Sequence, residues 1–231
     1  MGDAHYRMLV RAAVVLTAVW IGWTFYDSGP GESTVTGREL AAADRYLEDG
    51  AFEQALGIFS QVYARQPDNL GALRGKAQAL MRIGIRRAAD AERLDPTTQQ
   101  AEIARLRQES TTQLRQALGY YDEAVERELT AGVNERNRRA LGVALANRGI
   151  LKDQLGEYRG ALADYREGLR LEPGLAEGPG FLTRFLRNQP QPPPSIADRA
   201  RYLAAQLAKP EAERLMRIPE QDHRQRAYRF E

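Results

Sequence analysis

Two stretches of this chain place the same five residue types at the same offsets. The first is Gly50, Phe52, Ala55, Phe59 and Pro67, and the second is Gly156, Tyr158, Ala161, Tyr165 and Pro173. Each residue type has a physical task. Glycine turns the chain between two helices, where a Cβ would be strained. The first aromatic opens a second helix, the alanine lets two helices cross closely, and the second aromatic fills the space beside it. Proline cannot continue the helix and closes the unit.

The rest of the chain agrees with helices. Apolar positions are mostly Ala and Leu, set among Arg, Glu and Gln, the residues that lose least on entering a helix. Runs of alternating Val, Ile and Thr are missing, so no sheet is expected. The expected fold class is all-α.

The duplicated pattern resembles the tetratricopeptide-repeat (TPR) family, whose helix–turn–helix units run to about 34 residues. The resemblance implies one repeat over 36–69 and another over 142–175. Asn147, Arg148 and Gly149 supply the small residue expected in the first helix of the latter. Between them the pattern weakens. Gly84 and Ala89 continue the register of Gly50 and Ala55, but Arg93 stands where an aromatic belongs and Asp95-Pro96 arrives early, which gives a shortened repeat over 70–97. Ala117, Tyr121 and Ala124 reproduce second-helix spacing, with Ser110-Thr111-Thr112 in place of a glycine turn. The count is about four repeats, two clear and two degenerate. A rival reading makes 98–130 one long helix.

Residues 8–26 are apolar apart from Arg11, Thr17 and Thr24, and close on Trp20, Trp23 and Tyr26. An anchor of about twenty residues spans a bilayer, and the aromatics favour its interface. A cleaved signal peptide is the alternative, although no good small-x-small site follows. Arg7 and Arg11 precede the segment and Asp27 and Glu32 follow it, which places the N-terminus in the cytoplasm and the remainder in the bacterial periplasm. The expected organisation is a membrane anchor at 1–27, a flexible tether at 28–35, a TPR solenoid with an end helix at 36–188, and a proline linker with a C-terminal helical tail at 189–231. In that tail, Ser195 and Asp198 form an N-cap signature. Helices are expected at 175–188, 195–208, 210–217 and from Pro219 onward.

The 33 basic and 31 acidic residues nearly balance, which argues against a nucleic-acid surface. With no Cys, and with His5 and His223 at opposite ends, thiolate and His-based metal sites are not expected. Neither a phosphate loop nor a nucleophile elbow appears. No catalytic residue, cofactor, metal or small-molecule substrate is expected.

The TPR resemblance instead implies a concave groove lined by the first helix of each repeat. Carried over, its lining is Leu40, Asp44, Leu47 and Glu48, then Arg74, Gln78, Met81 and Arg82, then Val143, Asn147, Ile150 and Asp153. Of these, Asp44, Glu48, Arg74, Gln78, Arg82, Asn147, Ile150 and Asp153 are the candidate partner-binding residues. Amides and guanidinium groups there suit a peptide's carbonyls or a carboxylate. The Lys/Asn clamp of chaperone-binding TPR domains is matched by Asn147 alone. The implied function is a membrane-tethered scaffold or assembly factor that binds a partner protein or peptide. The alternative is a permanent accessory subunit of a larger membrane complex.

Overall fold

The computed structural model describes residues 35–177, 195–217 and 228. Among these there are seven α-helices and no strand. They are α1 (Val35–Glu48), α2 (Phe52–Arg65), α3 (Leu70–Arg93), α4 (Gln100–Thr130), α5 (Arg138–Gln154), α6 (Tyr158–Leu171) and α7 (Ile196–Leu207), with 3-10 turns at Pro173–Ala176 and Glu211–Glu213. Successive helices pair as hairpins α1/α2, α3/α4 and α5/α6. Each hairpin packs on the next, and α7 packs on α6.

The turns at Gly50 and Gly156 have the same geometry. Their φ values are +79° and +86°. Gly50 N–H donates to Leu47 C=O and Ala51 N–H to Tyr46 C=O; Gly156 N–H donates to Asp153 C=O and Glu157 N–H to Lys152 C=O. This is the Schellman arrangement, in which a left-handed residue after the helix lets the chain satisfy the last carbonyls.

Gly84, in the same register, makes no turn. Helix α3 runs through it to Arg93, because the space of the missing Cβ is taken by α4. A Cβ there would lie 2.9 Å from Leu114 Cδ2 and 3.2 Å from the Ser110 carbonyl oxygen. The expected break at 110–112 is also absent. Thr111 and Thr112 turn their hydroxyls back to the carbonyls of Arg107 and Gln108, at 2.9 and 3.0 Å, and remain helical. The centre of the chain is therefore one long hairpin in place of two short repeats. Its arms reach ~36 and ~46 Å, against ~21 Å for each helix of the first hairpin, at 1.5 Å rise per residue. Its far end carries a small cluster of Ala91, Ile103 and Leu106.

The main core joins α3 to α7. Tyr121, Leu141, Ile150, Leu151, Tyr165, Ile196 and Leu203 are all inaccessible. Close approach is built from small residues: Gly149 faces the Tyr165 ring, and Gly75 faces that of Phe59. Helix α7 begins in a full capping box, with Ser195 and Asp198 each bonded to the other's backbone N–H. The helix expected over 210–217 is only a 3-10 turn. Tyr202 and Gln206 instead bind the backbone of Leu215, while Arg214 donates to the carbonyl of Lys209. None of the described helices is long and apolar enough to cross a membrane. The anchor expected at 8–26, most of the helix at 175–188 and the proline linker lie outside the described residues.

Candidate functional site

Helices α3 and α5 touch, and each presents an amide side chain at the contact. Asn147 lies in the interior of α5 and is wholly buried. A buried amide needs partners, because leaving its groups unpaired costs about 1–3 kcal/mol. Its partners come from distant parts of the chain. Asn147 Nδ2 donates to the Tyr228 carbonyl at 2.9 Å, and Asn147 Oδ1 accepts from the Tyr228 N–H at 2.7 Å. Nδ2 also donates to the Tyr121 hydroxyl at 3.2 Å. Gln78, one helix away, donates to the same Tyr228 carbonyl at 3.1 Å.

The side chain of Tyr228 is held as firmly as its backbone. Its hydroxyl donates to the Leu175 carbonyl and accepts from the Ile196 N–H, both at 3.1 Å. Ile196 opens α7, and its N–H is one of those a helix leaves without an internal partner. Burial raises the pKa of both phenols, Tyr228 and Tyr121, so both keep their protons at neutral pH.

The remaining candidate residues are dispersed. Asp44 and Glu48 are exposed on α1. Arg74 is ion-paired with Glu128 of α4, whose carboxylate is almost inaccessible. Arg82 lies over the Phe52 ring, 5.1 Å from its centroid. Ile150 is in the core. Asp153 is taken by Arg199 of α7 in a two-bond ion pair and also accepts from the Tyr165 hydroxyl. Of the eight candidates, the fold brings Gln78 and Asn147 onto one atom. Tyr228 and Arg199 were not found from the sequence, because no spacing or motif links positions 228 and 199 to α5.

Two further groupings are polar. Arg148 holds Asp164 with two bonds at 2.8 and 2.6 Å, and Lys152 adds a third contact at 2.9 Å. Burial works against the Arg148 charge, but Asp164 and Asp122 outweigh it and raise its pKa. A cleft of about 460 Å³ between α2, α3 and α4 is lined by Ser60, Lys76, Tyr120 and Glu123. Lys76 stands over the Tyr120 ring at 4.2 Å there, and Glu123 accepts from the Tyr63 hydroxyl at 2.8 Å. Among the described residues, no group of three or more His, Asp or Glu is placed to hold a metal.

The fold and this site define an all-α protein of stacked helical hairpins. Comparison with protein-family models, with curated proteins and with solved structures found no match.

Proposed function

We propose that this chain is a TPR-type scaffold or assembly factor, tethered to the bacterial inner membrane, which binds a partner protein or peptide along the groove of α1, α3 and α5 on the periplasmic side. The repeat reading is supported by the matched turns at Gly50 and Gly156 and by the hairpin stacking. The tether rests on the apolar run at 8–26 and its flanking charges. One observation carries the binding function. Asn147 binds the backbone N–H and C=O of Tyr228 and Gln78, from a different hairpin, binds the same C=O, and main-chain bonds of this kind suit an extended peptide.

Site-specific photocrosslinking in native membranes tests this. A photoreactive residue at Asp44 or Glu48, both exposed on α1, is expected to yield a discrete adduct with one protein. The same residue at Arg166, exposed on α6, is expected to yield none. Adducts from Arg166 alone, or from no position, would remove the groove from the binding function.

A further inference from the structure

We infer that Tyr228 is a ligand which the groove holds in cis, and that the groove exchanges it for an extended, tyrosine-bearing segment of a partner protein. This rests on the groove-binding reading above and specifies the partner's chemistry.

Among the described residues, every hydrogen-bond partner of Tyr228 is remote in sequence: Gln78 is 150 residues away, Asn147 81, Leu175 53 and Ile196 32. The site is thus assembled by the hairpins and α7, and covalent attachment sets only the local concentration of the tyrosine. Asn147 reads the N–H and C=O of a single residue with one amide, as a neighbouring strand would. Any extended segment presents those two groups, so this half of the site carries affinity without selectivity.

Selectivity lies at the hydroxyl. It bridges the Leu175 carbonyl and the Ile196 N–H, and both bonds need an atom that donates and accepts at the end of a ring. Phenylalanine fills the same volume and leaves both backbone groups without that atom. Losing both bonds weakens binding by ~30-fold or more, since each 1.4 kcal/mol is a factor of ten and a buried unpaired group costs at least about 1 kcal/mol. Attachment within one chain gives a short-linked ligand an effective concentration on the order of millimolar, so the cis tyrosine outcompetes a weak segment in trans and yields to a strong one.

The test uses the full-length chain and a fluorescent synthetic peptide with the sequence of residues 222–231, read by anisotropy. Full-length Tyr228→Ala is expected to bind this peptide at least ~10-fold more tightly than the unaltered chain does, the factor set by the competing cis residue. The peptide with Phe in place of its Tyr is expected to bind ~30-fold more weakly, and the peptide with Ala more weakly still. Asn147→Ala in the Tyr228→Ala background is expected to lose binding. If either Ala variant melts below the assay temperature, Tyr228→Phe replaces it; this variant keeps the ring in place and is expected to admit the Tyr peptide. A folded variant that binds no peptide, or that binds the Tyr, Phe and Ala peptides equally, would make Tyr228 a fixed part of the fold and overturn the inference. The two readings fail separately. Peptide exchange without a crosslinked partner removes the scaffold function and keeps the cis ligand; a crosslinked partner without peptide exchange does the reverse.

Discussion

Arg199 holds Asp153 through two parallel hydrogen bonds, Nε to Oδ2 at 2.6 Å and Nη2 to Oδ1 at 2.8 Å, with both side chains at least 95% buried. A third bond, from Nη2 to the Met216 carbonyl at 2.8 Å, ties in the segment after α7. The pair fastens α7 to the end of α5, across the apolar contact that Ile196, Ala200 and Leu203 make with the core. Planar, two-bond pairing is a geometry that arginine provides and lysine does not.

Removing one member of this pair strands the other's charge. Arg199→Met and Asp153→Leu are each expected to lower the unfolding free energy by about 3–5 kcal/mol. The double variant is expected to lose much less than the sum, because no buried charge remains. Urea denaturation of the four chains gives this coupling directly, and additive losses would show that the pair does not act as a unit.

Glycine substitutions separate close packing from turn geometry. A Cβ at Gly75 would meet the Phe59 ring at 2.3 Å, and one at Gly149 the Tyr165 ring at 2.7 Å. Both alanine variants are expected to lose about 1–3 kcal/mol by overpacking. Gly119 lies within α4 with nothing within 4 Å of the same position. There, Gly119→Ala is expected to gain about 0.5–1 kcal/mol from helix propensity. Gly156→Ala has room for its Cβ but must hold φ near +86°, and is expected to cost about 1–2 kcal/mol. Thermal melts of the four variants check the order.

Glu128 gives stability an unusual pH response. Burial raises its pKa, and the opposing Arg74 charge does not fully offset this. The native state therefore binds this proton more tightly than the unfolded chain. The associated stability is complete below the ordinary glutamate value of 4.5 and is lost as pH rises through the higher native value. Relative to Glu128→Gln, the unaltered chain is expected to lose stability between pH 4 and pH 7. Urea titrations at the two pH values measure the change, and a relative gain would mean that Arg74 dominates.

Arg74 also predicts a difference between two charge reversals. Arg74→Glu sets a second carboxylate against buried Glu128 and is expected to destabilise the fold by several kcal/mol, as an unpaired buried charge does. Asp44→Lys, on the exposed face of α1, is expected to shift stability by less than about 0.5 kcal/mol. Circular dichroism during urea unfolding distinguishes them.

Residues 8–26 carry the proposed tether. The full-length protein is expected to remain in the membrane fraction after carbonate extraction, and deletion of residues 1–34 to release it. A mature soluble chain starting near Glu32, detected by N-terminal sequencing, would identify the segment as a cleaved signal.

What was legible in the sequence was local. The turns at Gly50 and Gly156 depend on a left-handed residue and on bonds reaching five residues back, so a short window contains their whole cause. The Ser195–Asp198 cap spans four residues and was equally readable. Gly84 has the same offset as Gly50, yet its role was set by Leu114 and Ser110 on another helix, and no local signal separates a glycine that turns from a glycine that packs. The groove residues followed the same division. The repeat resemblance placed Gln78 and Asn147 among the groove residues of separate first helices. Only tertiary structure decided that Arg74 and Asp153 are consumed by Glu128 and Arg199, and that the two amides close on Tyr228. Those pairings join residues 46 to 150 positions apart. A buried charge or amide takes whichever partner the packed helices bring within hydrogen-bond reach, and that choice exists only once the helices are packed.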